Sequence, residues 1–168
     1  TLLEYYKIPA PKEMKGRPLR SVIEKDEPVR DAAIFGVFSG HVNMVDQKYI
    51  YMRAAAPGRA DDVWNYTVLP LHMFTPFGAA ELEQMEFVQP FSFTGGCGLL
   101  KIPSKDLYHV ARFGNLLFDR EKDPKQEHPL NDPETEERLC RNLVLKMQEF
   151  DAPKEQYVRL GLEEYLKE

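Results

Sequence analysis

The sequence predicts an α+β fold, in which a small antiparallel sheet of about four strands packs against an amphipathic helix near the C-terminus. Three observations lead to this prediction. Across residues 31–69, short runs rich in Val, Ile, Phe, Tyr and Trp are separated by turn residues, as in antiparallel strands. After Asp132, apolar residues recur at three- and four-residue spacings, as on one face of a helix. A chain of 168 residues, 43% of them hydrophobic, is long enough to bury one core.

The first 28 residues carry helix and turn signals. One helix is predicted to end at residues 8–11, where prolines stop it, and a short helix near residues 19–25 follows a turn at residues 15–18. The chain opens on Thr1 with no charged leader and no long apolar run, so we expect no signal peptide at this position. Because no initiator methionine is present, we expect the chain to be a piece of a longer protein.

The next segments predict three strands. Residues 31–38 form the first strand, and residues 41–45 and 48–53 form a hairpin around Asp46-Gln47. Period-two alternation predicts a core face made of Val42, Met44, Ile50 and Met52. The opposite, mixed face is then expected to carry His41, Asn43, Val45, Tyr49 and Tyr51.

Residues 64–69 predict a further strand, ended by Pro70, and Pro76 precedes a short helix at about residues 78–85. Three glycines within residues 95–98 permit positive φ angles, so a shaped loop is expected at residues 91–98. Residues 115–120 predict the last strand of the sheet.

The C-terminal helix has the clearest start signal in the chain. Asp132 is a good N-cap, Pro133 suits the first helical position, and glutamates of the first turn match the positive end of the helix dipole. The apolar stripe of this helix consists of Leu139, Cys140, Leu143, Val144, Met147 and Phe150. A last helical segment at residues 153–165 is interrupted by Gly161.

Composition argues against several classes of function. A net charge of -5 argues against nucleic acid as a partner, because such binding needs clustered Lys and Arg. The longest apolar stretches are far shorter than the roughly 20 residues that a transmembrane helix needs, so no membrane partner is expected. Cys97 and Cys140 do not form a disulfide framework, and both are expected to stay thiols. The compartment stays open, with the cytoplasm favoured.

Thiol catalysis and metal binding are two kinds of chemistry that the cysteines and histidines of the chain could support. Cys97 could be a thiol nucleophile with one of the four histidines as base, but no local signature connects them, and a small buried hydrophobe is the better interpretation of such a cysteine. The histidine spacings match no metal motif such as HExxH, so no metal site is predicted. The acidic run at residues 134–137 is explained by the helix dipole rather than by acid/base catalysis.

Several stretches, in order along nearly the whole chain, resemble the C-terminal region of bacterial sulfatase-like hydrolases of the alkaline phosphatase superfamily. The closest are residues 30–36 (RDAAIFG), 40–43 (GHVN) and 46–53 (DQKYIYMR). Similar stretches are found at residues 1–11, 14–19, 93–97 (FTGGC), 117–119 (LFD) and 152–162 (APKEQYVRLGL). Gln47 departs from the family pattern, which commonly has Gly after the Asp of this hairpin.

The resemblance implies two parts: residues 1–28 as the end of the catalytic domain and a connector, and residues 29–168 as the C-terminal subdomain. It implies that the longer protein is a sulfuric ester hydrolase that uses a formylglycine and a divalent cation, calcium, on a sulfated small molecule or glycan. The family's nucleophile motif, Cys or Ser followed by x-Pro/Ala-x-Arg, is not found here, and neither Asp-His nor Asp-Asn occurs as a pair. We therefore expect no catalytic residue and no cofactor in this chain.

The expected partner is the catalytic domain of that longer protein, whose substrate cleft the subdomain can border. Polar groups on apolar strands or on the glycine-rich loop are the candidates for substrate contact: His41, Asn43, Arg53, His72, Thr94, Gly95 and Gly96. Each also has a structural interpretation, since Asn43 can bond within a strand, Arg53 can be a surface cation and His72 can pack in a core. The alternative functions are a self-contained interaction or oligomerisation module and an independent thiol enzyme.

Overall fold

A computed structural model of the protein describes residues 1–72 and 74–167, and it confirms the α+β class. The strands are β1 Ala33–Gly36, β2 Val42–Val45, β3 Tyr49–Arg53, β4 Trp64–Thr67, β5 Glu86–Val88, β6 Leu99–Pro103 and β7 Leu116–Asp119. The α-helices are α1 Leu2–Tyr5, α2 Arg20–Lys25, α3 Ala79–Leu82, α4 Pro133–Glu149 and α5 Lys154–Leu160. Two 3-10 helices lie at Val110–Phe113 and Glu163–Lys167.

Four antiparallel strands form the first sheet, in the order β1-β2-β3-β7. Its central hairpin is the predicted one, but the turn lies at Gln47-Lys48, one residue later than predicted, because the N–H of Asp46 donates to the carbonyl of Tyr49 at 3.0 Å. The Asp46 carboxylate accepts the N–H groups of Lys48 and Tyr49, at 2.8 and 2.6 Å. This side-chain bonding closes the turn without a glycine.

The face assignment predicted for the hairpin is wrong. Met44 lies opposite Tyr51, and both side chains are fully buried against the helices. Ile50 and Met52, predicted for the core face, lie on the opposite face with Asn43. Directly paired residues share a face, and a two-residue turn pairs even-numbered positions of β2 with odd-numbered positions of β3. Side chains therefore alternate within each strand as predicted, but the register decides which residues of β2 and β3 share a face.

The first sheet has an inner face and an outer face. The inner face packs on α4 and α5 and supplies Met44, Tyr51 and Leu117 to the main core, which the helices complete with Leu139, Cys140, Leu143, Val144, Met147, Tyr157 and Leu160. The outer face is defined here by five side chains of the three consecutive strands: Phe35, Asn43, Val45, Ile50 and Met52. Phe35 is 48% exposed, and the other four are half-buried.

The prediction for the C-terminal helix is confirmed. Asp132 caps α4, since its carboxylate accepts the N–H of Thr135 at 3.1 Å, and Pro133 occupies the first helical position. The predicted stripe is the buried face of the helix, with only Phe150 half-buried at its end. Helix α5 ends at Gly161, whose φ of +62° gives the left-handed cap that a glycine accepts without strain.

A second, three-stranded antiparallel sheet in the order β4-β6-β5 was not anticipated. The strand predicted at residues 64–69 belongs to this sheet, where Trp64 lies opposite Pro103 and Thr67 opposite Leu100. The glycine-rich segment is a loop, as predicted, with positive φ at Gly95 and Gly96. It leads directly into β6, whose sequence ends in a proline and therefore gives a weak strand signal.

Segments near the N-terminus contribute little to the core. Helices α1 and α2 contain no buried residue, although the Arg17 guanidinium donates to the carbonyl of Val29 at 2.8 Å. The strand predicted at residues 31–38 is shorter, because the chain turns through Ser39, which has a φ of +60°. In the part of the chain that the structure describes, no helix is both long enough and apolar enough to cross a membrane.

Asp119 should make the fold sensitive to acid. Its carboxylate accepts the N–H groups of Glu121 and Lys122, both at 3.0 Å, and the bond from Lys122 is the main cause that holds the pKa of Asp119 below its ordinary value. A carboxyl whose pKa is lower in the folded state stabilises the fold above its unfolded pKa, and that stability is lost as the pH falls through the folded pKa. We expect the free energy of unfolding to fall between about pH 5 and pH 2.

Urea unfolding at a series of pH values tests this expectation. In Asp119→Asn the loss of stability on acidification should be smaller than in the unmodified chain, because the ionisable group is gone. Glu121→Gln is the matched control, since the Glu121 side chain is exposed and accepts no hydrogen bond among the described residues. Identical pH profiles for the unmodified chain and Asp119→Asn would contradict the assignment.

Candidate functional site

A groove of about 950 Å³ lies on the second sheet. Strand β4 and the segment after β6 form one wall, and α3 with the segment before it forms the other. Phe38, Leu71, Phe77 and Leu107 make part of the lining apolar. Its polar lining includes Asn65, Tyr66, Thr67, His72, Glu81 and Lys105. A mixed lining of this size suits a small organic ligand or a short stretch of glycan.

A histidine–carboxylate pair lies in this groove. Nε2 of His72 is 3.0 Å from Oε1 of Glu81, and the imidazole stacks on Phe77 with ring centroids 4.0 Å apart. The other carboxylate oxygen of Glu81 accepts the N–H of Gly78 at 2.7 Å. That backbone bond is the main cause of the lowered pKa of Glu81, and His72 and Lys105 act in the same direction. The Gly78 N–H therefore fixes the Glu81 carboxylate, and the Phe77 ring fixes the His72 imidazole.

The pair can bind or exchange a proton with a ligand in the groove. A carboxylate that bonds one imidazole nitrogen sets the tautomer and leaves the other nitrogen available. Both side chains are 41% exposed, so His72 is not the packed core histidine that the structural interpretation describes. Lys105 adds an exposed positive charge at the same groove, where it favours an acidic ligand.

Two candidate residues lie at the start of β2, away from this groove. Nε2 of His41 is 3.0 Å from the carbonyl of Gly114, so this ring connects β2 to the segment before β7. Asn43 lies on the outer face, where its Oδ1 is buried and accepts no hydrogen bond within the described residues. Both positions are half-buried.

Arg53 is occupied by structural contacts. Its Nε donates to the carbonyl of Leu160 at 2.8 Å and its Nη2 donates to the carbonyl of Gly161 at 3.1 Å, so the guanidinium caps the C-terminus of α5. Its Nη1 donates to the hydroxyl of Tyr51 at 3.2 Å. Burial raises the pKa of the Tyr51 phenol and of the Cys140 thiol beside it, which keeps both groups protonated at neutral pH.

The glycine-rich loop is built by Thr94. Its hydroxyl bonds the carbonyls of Phe91 and Cys97, at 2.9 and 3.0 Å, and the loop exposes Gly95 and Gly96. Both cysteines are free thiols, as predicted, and Cys140 is buried. The interpretation of Cys97 as a small buried hydrophobe is wrong, because Cys97 is exposed in the glycine-rich loop. Within residues 1–72 and 74–167, no hydrogen bond or ion pair joins the Cys97 thiol to a histidine.

The structure does not bring the predicted candidates together. His72 lines the groove, Arg53 and Asn43 lie on opposite faces of the first sheet, and Thr94 to Gly96 form a separate loop. Sequence reasoning missed Asn65, Tyr66, Glu81 and Lys105, because the groove depends on the β4–β6 pairing, which joins residues more than 30 positions apart. Among the described residues, no group of three or more His, Cys, Asp or Glu side chains could hold a metal ion.

These features define the class of protein as an α+β domain with helices on the inner face of its main sheet and a ligand-sized groove on a second sheet. No family model matches the chain, and no curated protein matches its sequence.

Proposed function

We propose that this chain is the C-terminal subdomain of a bacterial sulfatase-like hydrolase of the alkaline phosphatase superfamily. In this proposal the subdomain packs on the catalytic domain of a longer protein, borders its substrate cleft and does not hydrolyse esters alone. The ordered stretches at residues 30–36, 40–43 and 46–53 motivate the family, and they form β1, the following turn and the β2–β3 hairpin. The observation that carries the docking role is the outer face of the first sheet.

The outer face has the composition of a surface that a partner covers. Its rows are Phe35–Asn43–Met52 and Val45–Ile50, which are apolar except for one amide. The buried Oδ1 of Asn43 accepts no hydrogen bond among the described residues, and leaving such an acceptor unsatisfied costs about 1–3 kcal/mol. A donor from a docked domain would satisfy it. The segments that follow β1 and precede β7 add exposed apolar side chains, among them Val37 and Phe113.

Catalysis in this proposal belongs to the other domain. There, a formylglycine would supply the nucleophile and a calcium ion would stabilise the charge that develops on the sulfuric ester. The groove of this chain contributes binding. Lys105 and the His72–Glu81 pair are suited to a sulfated sugar or a sulfated small molecule, because a cation and oriented hydrogen-bonding groups recognise sulfate and hydroxyl groups together.

A cytoplasmic location is part of the same proposal. Cys97 is an exposed free thiol, and exposed thiols persist in reducing compartments.

A negative charge on the outer face should strongly weaken the binding of this chain to the catalytic domain. Phe35→Glu is expected to weaken binding of this chain to the separately produced catalytic domain about 30-fold, which corresponds to about 2 kcal/mol for an aromatic anchor. Isothermal titration calorimetry measures the affinity. Phe87→Glu is the matched control, because Phe87 is also an exposed strand phenylalanine, 75% exposed on β5 of the second sheet.

Two outcomes would contradict the docking role: equal weakening by Phe87→Glu, or no binding by the unmodified chain. Hydrolysis of p-nitrophenyl sulfate, with calcium and formylglycine-generating enzyme supplied, tests the family separately. Activity is expected in the longer protein and not in this chain. Activity in this chain that Cys97→Ala removes would favour an independent thiol enzyme instead.

An interaction or oligomerisation module is the second candidate, and the same outer face favours it. Here a second copy of the chain covers Phe35 and Met52 across a two-fold axis. Sedimentation of the chain alone distinguishes the candidates. A dimer that Phe35→Glu converts to a monomer would support the module and count against docking to a catalytic domain.

A further inference from the structure

Arg159 is a buried cation that forms no direct ion pair with the described carboxylates. Its side chain is 2% exposed, in α5. Its Nη2 donates to the carbonyl of Ser39 at 2.6 Å and its Nη1 donates to the carbonyl of Gly40 at 3.3 Å. Its Nε–H is buried and donates no hydrogen bond within the described residues, and no ion pair is formed with a described Asp or Glu. Arginine is almost never fully buried unless it is paired.

A cavity of about 150 Å³ opens beside this guanidinium. Its walls come from four places: the turn at residues 37–40, Val42 at the start of β2, Val63 and Trp64 at the start of β4, and Gln156 with Arg159 on α5. The turn is held in place, because the Ser39 hydroxyl accepts the N–H of Leu107 at 3.0 Å. Since one water occupies about 30 Å³ in the liquid, this volume accommodates a small polyatomic ion with some water.

The Arg159 guanidinium brings a positive charge to the lining of the cavity. Burial is the main influence on the Arg159 guanidinium and lowers its pKa, whereas Asp106 and Asp62 act through space in the opposite direction. Arginine nonetheless stays protonated in proteins, so a positive charge remains buried against two neutral carbonyl groups. A buried charge that forms no direct ion pair with the described carboxylates is costly, and the planar fork of N–H donors of Arg159 matches the oxygen atoms of a carboxylate or a sulfate.

We propose that the cavity beside Arg159 is a binding site for a small oxyanion, either a carboxylate or a tetrahedral anion such as sulfate. The site is separate from the groove that contains His72. It does not depend on the family proposed above, because it follows from the contacts of Arg159 alone.

Trp64 provides the readout, because it is the single tryptophan of the chain and lines the cavity. Sodium sulfate and sodium formate are titrated separately at constant ionic strength while tryptophan emission and Tm are recorded. We expect a saturable change in emission with one of the two anions. At a hundredfold excess over Kd, we expect a Tm increase of about 5–10 °C.

Gln156→Glu tests the location of the site. The half-buried Gln156 side chain lines the cavity, so a carboxylate there repels the anion and should weaken binding at least tenfold while leaving Arg159 in place. Gln148→Glu makes the same charge change on the exposed surface of α4 and should leave the affinity unchanged.

Saturation by sulfate identifies a tetrahedral-anion site, and saturation by formate identifies a carboxylate site; either supports the proposal. Two results would overturn it: neither anion changes emission or Tm in a saturable way, or Gln156→Glu and Gln148→Glu bind with the same affinity.

Discussion

Arg53→Met is expected to lower the free energy of unfolding by about 2–4 kcal/mol, because buried carbonyl groups at the end of α5 lose their donors. The Leu160 and Gly161 carbonyls both depend on this guanidinium, and its side chain is 17% exposed. Methionine retains most of the aliphatic volume but donates nothing. Urea unfolding followed by circular dichroism measures the change.

Arg59→Met is the matched control for this prediction. Arg59 is 53% exposed in its side chain and pairs with Asp62, and such a surface pair contributes at most about 1 kcal/mol. A stability change no larger in Arg53→Met than in Arg59→Met would show that the cap is unimportant. If Arg53→Met keeps its stability but lowers kcat/KM of the longer protein, Arg53 contacts substrate, as its sequence context suggested.

Leu143→Ala is expected to cost about 3–4 kcal/mol, within the range for deleting a fully buried leucine side chain and leaving a cavity. Leu143 is 0% exposed and lies in the cluster that joins α4 to Met44, Tyr51 and Leu117 of the first sheet. The expected loss is a large part of the stability of a domain of this size. Thermal and urea unfolding both report it.

Leu145→Ala makes the same chemical change two residues away on the same helix, where the side chain is 62% exposed. It should change the free energy of unfolding by no more than about 0.5 kcal/mol. Similar effects of the two substitutions would mean that α4 does not pack on the sheet through the predicted stripe.

The two sheets are joined by buried polar contacts rather than by one continuous core. Arg159 bonds the turn before β2, and Lys101 of β6 forms an ion pair with Glu155 of α5. Lys101 also lies over the ring of Trp64, with its Nζ 4.3 Å from the ring centroid. Helix α5 therefore contacts both sheets, and Phe38 lines both the groove and the cavity beside Arg159.

The candidate site was predicted only in part. His72 was selected from the sequence because it is a polar residue among apolar ones. Its partner Glu81 lies in the short helix α3, and no local pattern connects the two residues. Arg53 was selected by the same reasoning, and the structure places it at the end of α5, more than 100 positions along the chain. Contacts of this kind leave no local pattern in either segment.

Features that depend on near neighbours could be predicted from the sequence. The cap at Asp132, the stripe of α4 and the positions of β1 to β3 follow from spacings of two to four residues, which local sterics and hydrogen bonds control. Tertiary contacts were needed to establish which faces of the strands are buried, that β4 pairs with β6, and that Arg159 lies beneath the turn at Ser39. Those outcomes depend on register and on pairings between distant segments, where a shift of one residue exchanges the buried and exposed faces.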